Sequence, residues 1–502
     1  MKSTDIYRRV LKGTAIFGGV QIFQILVSVL RGKFTSILIG AYGMGISSLY
    51  STSLAMIITI ASMGCNLSAV RFISMYDKNS LDYFYKIKLI QNIFAYLAAF
   101  GAIVTISFSL LLSKVTFDSY DHTLLYIVLA IYVASSIYSS GCYSILQGMQ
   151  EIKKVAVGNV IPSAVGLVCI IPIYYFWGYD GIVPALIIVP FCSAIYAHRI
   201  FTEICIKEKY IKTYSLKGDI KQLFHELISL GFVTVVASFL GNLTSYSINT
   251  FIRFVGRIVD VGLFQAGMSI TNQYANLIFS ALSMDYLPRL SSVIHDKKKL
   301  NEVVNSQGEV AILIGLPVLT LMMITAPFII VLLLTEEFLS IISFVRIMAF
   351  AMMIQIFYFP MSYIPYAKGD KFVFLFYEGI LNNFIHLVLM AGGYYFFSLM
   401  GLALAQMIHN IISVFITLWI VYSRYQFKIS FSYLKWGIFS NGILLFQLLL
   451  FFQNEISYTI IASVLGIVST VFCIMKLNQK TEIISVLRNK FIKKIHVEDK
   501  DE

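Results

Sequence analysis

Long apolar runs, separated by short clusters of basic residues, make up almost the whole chain, and this pattern constrains the fold more than any other feature. A membrane-spanning helix needs about 20 mostly apolar residues. Fourteen runs meet that length and are numbered here as spans 1 to 14: 14–39, 44–70, 87–112, 123–147, 155–177, 181–201, 229–255, 261–287, 309–334, 338–364, 372–397, 400–422, 433–452 and 456–475. The sequence therefore predicts an all-α integral membrane protein with about 14 transmembrane helices.

The composition excludes several classes of protein. Only 13% of the 502 residues are charged, about half the fraction in an ordinary soluble domain. The net charge of +12 comes from scattered clusters, so we expect no nucleic-acid partner. The loops between spans are too short for an external catalytic domain, and they contain no P-loop, HExxH motif, acidic metal loop or Ser/His/Asp arrangement. We therefore expect no enzymatic activity, no metal and no cofactor.

The distribution of lysine and arginine predicts the topology. Short cytoplasmic loops carry the excess of these residues, and 32 of the 38 fall on one side when the N-terminus is placed inside. An even number of spans then returns the C-terminus to the same side. We expect a multi-pass membrane protein with both termini in the cytoplasm.

The first twelve spans form an internal repeat with an offset of about 217 to 220 residues. Arg-Phe-Ile-Ser at 71–74 corresponds to Arg-Leu-Ser-Ser at 289–292, and Gly-Ile-Val-Pro-Ala at 181–185 corresponds to Gly-Leu-Ala-Leu-Ala at 401–405. Because each half has an even number of spans, both halves start inside and are parallel repeats. Spans 13 and 14 lie outside the repeat.

This repeat predicts the domain organisation. The expected parts are an N-lobe with spans 1–6 (1–202), a cytoplasmic linker (203–228), a C-lobe with spans 7–12 (229–423), a C-terminal helix pair (424–476) and a basic cytoplasmic tail (477–502).

Five basic residues lie within apolar runs or at their outer ends: Arg31, Lys33, Arg253, Arg257 and Arg346. A charge near the centre of a membrane helix costs about 2.5–3.5 kcal/mol on insertion scales, so such residues are candidates for function. If they converge on one cavity, that cavity suits a phosphate or pyrophosphate, which guanidinium groups bind bidentately. Alternatively, Lys33 and Arg257 extend to the membrane interface.

Other polar residues in the spans complete the candidate site. Glu378 is the one acid well inside a span, and it either binds a coupling proton or cation or neutralises Arg346 on the preceding helix. The amides of Asn249, Asn272 and Gln273 are candidates for substrate contact, although many such amides simply join helices.

Three stretches resemble one known family. They are Leu-Arg-Gly-Lys at 30–33, the two ends of span 8 (Val-Gly-Leu-Phe-Gln-Ala at 261–266 and Tyr-Leu-Pro-Arg-Leu-Ser at 286–291), and Ala-Lys-Gly-Asp at 367–370, which precedes Glu378. Together with the number of spans, they resemble the Wzx-type flippases for O-antigen and lipid-linked oligosaccharide, in the polysaccharide branch of the multidrug/oligosaccharidyl-lipid/polysaccharide (MOP) exporter superfamily. The resemblance covers residues 1 to about 425.

The resemblance implies two six-helix lobes in a V, around a cationic cavity that accepts undecaprenyl-pyrophosphate-linked glycans. It places Arg31 and Glu378 at sites typical of the family, and it implies a groove for a lipid tail at spans 13 and 14. The implied function is a flippase for an O-antigen, capsule or exopolysaccharide repeat unit. Its implied partners are the lipid-linked oligosaccharide, membrane lipids, and the polymerase and chain-length machinery of a polysaccharide pathway.

Two alternatives remain at this stage. A multidrug cation antiporter of the same superfamily, like the MATE transporters, is expected to have an acidic cavity, whereas the charges buried here are mostly basic. A membrane-embedded glycan polymerase or ligase is expected to carry a large external loop with functional residues, and none is present in the sequence.

Overall fold

The computed structural model describes residues 3–75, 82–207, 219–453 and 455–481. These residues form helices joined by short turns, which confirms the predicted all-α class. The α-helices are α1 Ser3–Ser62, α2 Cys65–Met75, α3 Asp82–Ser107, α4 Ser109–Phe117, α5 Thr123–Gly148, α6 Ile152–Trp177, α7 Ile182–Lys207, α8 Asp219–Val255, α9 Ile258–Ser292, α10 Lys297–Leu333, α11 Ile342–Ala367, α12 Asn382–Tyr425, α13 Phe431–Phe451 and α14 Ile456–Thr481. A π-helix, Val373–Leu381, precedes α12.

Two of these helices are really pairs of helices joined by a kink. The backbone of α1 leaves the helical region at Gly40 (φ 58°), a left-handed conformation that favours glycine. In α12 the kink lies at Phe397 and Ser398. Both kinks coincide with predicted loops, so α1 contains span 1 and most of span 2, and the second half of α12 contains span 12.

Helix lengths agree with repeated membrane crossing. Nine stretches of the described residues are long and apolar enough to span a membrane. Two of them, Ile152–Glu203 and Val373–Tyr425, contain 52 and 53 residues. As one straight helix, each would extend about 80 Å at 1.5 Å per residue, more than twice the thickness of the hydrocarbon core, but the first is broken at Gly178–Gly181 and the second at Phe397 and Ser398. Each therefore crosses twice, as spans 5 and 6 and spans 11 and 12 predict.

Several helices differ from the predicted spans. Helix α8 begins at Asp219, and α10 begins at Lys297, about ten residues before the corresponding apolar runs. Hydropathy detects only the part of a helix that lies in lipid, so these polar first turns were not predicted. Span 2 is also interrupted, because Met63 and Gly64 adopt positive φ angles and separate α1 from α2.

The backbone repeats its special conformations at equivalent positions of the two halves. Gly178 (φ 52°, ψ −125°) in the first half corresponds to Ser398 (φ 50°, ψ −139°) in the second. Gln150 and Gly369, which share a φ of 65°, also correspond to each other. Both pairs are separated by the offset found in the sequence. These matches confirm the two parallel six-helix repeats.

The described helices pack into two compact units. The first comprises Met1–Ala266, Val331–Phe338 and Leu375–Leu387, and the second comprises Gly267–Ile330, Leu339–Phe374 and Val388–Glu502. Helix α8, the first helix of the second repeat, packs on α1 and α2 within the first unit. The predicted lobe boundaries follow the repeat rather than the packing and stay a prediction; residues 208–218 of the linker and 482–502 of the tail lie outside the described residues.

A proline inside α6 illustrates how the helices satisfy their backbone. Pro162 has no N–H, so it leaves the carbonyl of Gly158 without its usual partner. The hydroxyl of Tyr143 on α5 donates to this carbonyl at 2.8 Å. The same hydroxyl lies 2.8 Å from the Ser193 hydroxyl on α7. One tyrosine therefore joins three helices of the first unit.

Candidate functional site

Arg31 lies in the first half of α1, nine residues before the kink at Gly40, which corresponds to about 13 Å along the helix. Its guanidinium interacts electrostatically with Tyr174 of α6 and Tyr132 of α5. Tyr174 is 5% exposed, whereas Arg31 and Tyr132 are half-buried. No described residue accepts a hydrogen bond from this guanidinium or forms an ion pair with it. Arg31 therefore presents a half-buried positive charge beside two tyrosines, with its hydrogen-bonding capacity available to an anionic ligand.

Lys33, two residues further along α1, is already engaged by the protein. Its ammonium donates to the carbonyl of Val331 at 2.7 Å and also to the carbonyl of Leu334. Both carbonyls lie at the C-terminal end of α10, where the last carbonyls of a helix have no partner within the helix and the helix dipole is negative. Lys33 therefore caps a helix, a role that neither of its predicted interpretations included.

The two arginines at the outer end of span 7 have different surroundings. Arg253 donates to the carbonyl of Phe117, the last residue of α4. The side chain of Arg257 is 77% exposed and lies 3.4 Å from the carboxylate of Asp260. An exposed pair of this kind contributes little to stability, and the position of Arg257 at a membrane interface stays a prediction.

Asn249 on α8 is the centre of a polar cluster. It is completely buried. Its amide donates to the hydroxyls of Ser48 at 3.1 Å and Thr52 at 3.4 Å, both on the second half of α1. The Gln265 amide of α9 donates to the Asn249 oxygen at 3.1 Å. Because every polar atom of Asn249 is used within the protein, its main role here is to join α1, α8 and α9.

Asn272 and Gln273 lie further along α9, in the second compact unit. Asn272 is exposed and Gln273 is half-buried. Neither belongs to the cluster around Asn249, and their predicted contact with substrate stays a prediction.

Glu378 is half-buried in the π-helix that precedes α12. The neighbouring Asn383 side chain donates to the carbonyls of Glu378 and Gly379, at 3.0 and 2.9 Å, and so stabilises the irregular backbone. Helices of this type occur frequently at functional sites. Within the described part of the first unit, no ion pair includes the Glu378 carboxylate.

Arg346 on α11 packs within the second unit against α10 and α13. Its Nε donates to the carbonyl of Met323 at 3.3 Å, and its guanidinium lies 3.9 Å from the centre of the Phe451 ring. Pro327 lacks the N–H that would otherwise bond to Met323. Arg346 thus supplies the donor that Pro327 removed, and its charge is stabilised by an aromatic face of α13.

We expect Arg346→Leu to destabilise the protein by about 1–3 kcal/mol, because it removes a charged donor and leaves a buried carbonyl unsatisfied. The replacement Pro327→Ala restores an N–H for Met323. In the Pro327→Ala background, the loss of stability caused by Arg346→Leu is expected to fall by at least about half. Thermal unfolding of the four purified variants in detergent measures this coupling, and equal costs in both backgrounds would contradict the assigned role.

Among the described residues, no group of three or more His, Cys, Asp or Glu side chains could hold a metal ion. Sequence reasoning found Arg31 but missed its neighbours Tyr132 and Tyr174, because a tyrosine in an apolar run gives no signal of its own. The run of Ser and Thr at 47–53 was a usable signal for the cluster around Asn249.

The sequence is similar to one protein family. The family model described as "Polysaccharide biosynthesis protein" matches residues 10–294. No curated protein matches the sequence.

Three solved structures share the fold. The chain is 16% identical to the lipid II flippase MurJ, with a TM-score of 0.66, covering 94% of this chain and 99% of that one. It is 16% identical to a multidrug resistance MATE family transporter of the MOP superfamily, with a TM-score of 0.64 and coverage of 84% and 95%. A MOP superfamily transporter from Pyrococcus furiosus, described as having a binding pocket of reverse polarity, is 14% identical, with a TM-score of 0.55 and coverage of 85% and 94%. These similarities confirm a MOP-type transporter fold.

Proposed function

The chain belongs to the polysaccharide biosynthesis protein family, and from that premise we propose that it is a flippase for undecaprenyl-pyrophosphate-linked oligosaccharide. It moves an O-antigen, capsule or exopolysaccharide repeat unit from the inner to the outer leaflet of the bacterial cytoplasmic membrane, by alternating access. The family and the transporter fold support this proposal.

The observation that carries the proposal is the uncommitted guanidinium of Arg31. A pyrophosphate offers several oxygens that a planar guanidinium binds bidentately. Tyr174 and Tyr132 interact electrostatically with this guanidinium, which makes their hydroxyls candidate donors to the same ligand. Lys33, Arg253 and Arg346 already bond to backbone carbonyls, so the proposed clamp depends on Arg31.

The energetics permit export without ATP. An anion that leaves a negative cell interior moves down the membrane potential, which supplies about 2.3 kcal/mol per charge per 100 mV. The polyprenyl tail stays in lipid throughout, so only the polar head has to cross through the protein.

The test is the location of the lipid-linked glycan in cells that lack this protein. A membrane-impermeant sugar-modifying reagent is applied to spheroplasts and to inverted membrane vesicles, and the modified glycan is identified by mass spectrometry. We expect unmodified glycan in spheroplasts and modified glycan in inverted vesicles, because the substrate accumulates facing the cytoplasm. A normal distribution combined with altered drug sensitivity would support the cation antiporter, which the similarity to a multidrug transporter keeps as the second candidate.

We further propose that Glu378 binds the coupling proton. Its position in a π-helix, and the absence of an ion pair in the described part of its unit, support this role over charge neutralisation. Glu378→Gln keeps the shape but cannot ionise. In inverted vesicles, we expect it to abolish the dependence of transport on a pH difference, while Glu309→Gln, at the cytoplasmic end of span 9, retains it. A Glu378→Gln variant that still responds to the pH difference contradicts the proposal.

A further inference from the structure

Two basic residues of the first unit cap helices in a reciprocal arrangement. Lys33, on the first helix of repeat one, donates to the carbonyls of Val331 and Leu334 at the end of the third helix of repeat two. Arg253, on the first helix of repeat two, donates to the carbonyl of Phe117 at the end of the third helix of repeat one. Each repeat therefore supplies a cation that caps a helix of the other repeat.

The repeat relates the two caps to each other. Lys33 and Arg253 are 220 residues apart and the acceptor residues Phe117 and Leu334 are 217 apart, so both pairs fall within the offset of about 217 to 220 residues that separates the repeats. Both acceptors lie where a helix leaves its carbonyls without a partner and the helix dipole is negative. The same physical contact has thus formed twice, with lysine in one copy and arginine in the other.

A close backbone contact lies between the ends of the same helices. A methyl group at Gly45 would lie 2.1 Å from the carbonyl oxygen of Ile258, and a methyl group at Gly262 would lie 1.8 Å from the carbonyl oxygen of Ala41. The repeat offset relates Gly45 to Gly262, and it relates Ala41 to Ile258 in the same way. This contact is also reciprocal, and only residues without a Cβ permit it.

A carboxylate strengthens the same region. Glu337, just after α10, lies 3.4 Å from the backbone N–H of Ala41, at the start of the second half of α1. A negative charge near the N-terminus of a helix is favourable. Lys33, before the kink at Gly40, therefore bonds to the end of the third helix of the second repeat. After the kink, the backbone N–H of Ala41 bonds to Glu337, which follows the same helix.

From these contacts we infer that Lys33, Arg253 and the Gly45/Gly262 contact form a releasable latch that closes one end of the transport path. The inference rests on the proposed alternating access, since a path that opens to each side in turn must separate the two repeats at this end. Charge-to-carbonyl bonds suit this task. When the latch opens, both cations and both helix ends can bond to water, so no ion pair has to be separated within lipid.

If this latch closes one end of the path, removing it should make a buried thiol accessible to a water-soluble reagent, even when no transport takes place. In a variant without the six native cysteines, Asn249→Cys places a thiol at a completely buried position between α1 and α8. The purified protein in detergent is treated with a water-soluble maleimide, with no glycan present. We expect Lys33→Ala and Arg253→Ala each to raise the labelling rate about tenfold, the effect of losing one hydrogen bond to a charged group.

Three controls distinguish latch opening from misfolding. Lys114→Ala removes a cation on the last turn of α4 that pairs with Asp118 within the same repeat, and it is expected to leave the labelling rate unchanged. Arg253→Lys and Lys33→Arg keep a donor and should restore slow labelling. A separate Ser440→Cys reporter, buried in α13, must stay unlabelled in every variant, because only unfolding exposes it.

The outcomes are decisive. Unchanged labelling in Lys33→Ala, in Arg253→Ala and in the double variant would overturn the latch. Faster labelling in a protein that fails to move lipid-linked glycan would keep the latch and remove the proposed function, so the two hypotheses fail separately.

Discussion

Cells that produce only the Arg31→Ala variant are expected to lose nearly all surface polysaccharide and to accumulate lipid-linked glycan that faces the cytoplasm. No described residue accepts a hydrogen bond from the Arg31 guanidinium, so its removal deletes the proposed contact to the pyrophosphate. One hydrogen bond to a charged group contributes about 1.5–3 kcal/mol, which corresponds to a loss of about 10- to 150-fold in transport. The measurement is the rate of glycan translocation in vesicles, normalised to the amount of folded protein.

Matched variants make this prediction specific. Arg71→Ala removes an exposed arginine near the C-terminal end of α2 and should leave transport intact. Arg31→Lys keeps the charge but loses the planar, bidentate geometry, so we expect an intermediate rate. If Arg31→Ala transports as fast as the wild-type protein, the clamp is wrong, whichever substrate the protein moves.

Gly401→Ala is expected to lower the stability of the protein by about 3 kcal/mol or more, at the upper end of the costs measured for overpacking. A methyl group at this position would lie 1.8 Å from the carbonyl oxygen of Gly393 and 2.5 Å from its carbonyl carbon. Both obstructing atoms belong to the backbone of the same helical hairpin, so no side-chain rotation can relieve the contact. Thermal unfolding in detergent, followed by circular dichroism, measures the effect.

The neighbouring glycine provides the control. A methyl group at Gly392 would meet nothing within 4 Å. Alanine has the higher helix propensity, by about 1 kcal/mol, so Gly392→Ala is expected to be neutral or slightly stabilising. Gly393, on the other side of this contact, gives a second test. A methyl group at Gly393 would lie 2.4 Å from the carbonyl oxygen of Gly401, so Gly393→Ala should also destabilise the protein. Equal melting temperatures for Gly401→Ala and Gly392→Ala would contradict this account of the hairpin.

Much of the fold was predictable because the membrane imposes a simple rule. Backbone polar groups in lipid must bond internally, so each apolar run of sufficient length becomes a helix. The turn at Gly40 and the loop at 398–400 were identified in this way, and both are kinks in the structure. The repeat was visible in short loop motifs, and the special backbone conformations at Gly178 and Ser398 confirm it.

The candidate site was only partly predictable, as two residues of one short stretch show. Arg31 and Lys33 are two positions apart and both lie in an apolar run, so hydropathy assigns them the same energetic penalty. In the structure Lys33 bonds to a helix end that is distant in the sequence, whereas Arg31 lies beside tyrosines of α5 and α6. Their different surroundings depend on which helices pack around each side chain, and no local pattern contains that information.

The sequence alone thus determined the class of protein, the number and order of its helices, the repeat, and the short set of charges that lipid cannot tolerate without a reason. These properties depend on hydropathy, charge and spacing along the chain, which a sequence carries directly. The tertiary structure decided which of those charges bond to carbonyls that prolines and helix ends leave unpaired, and it left Arg31 without an acceptor among the described residues. The fold was needed for this, because a backbone carbonyl is present at every residue. A carbonyl becomes a distinctive acceptor only where a distant helix ends or lacks an N–H to bond to it.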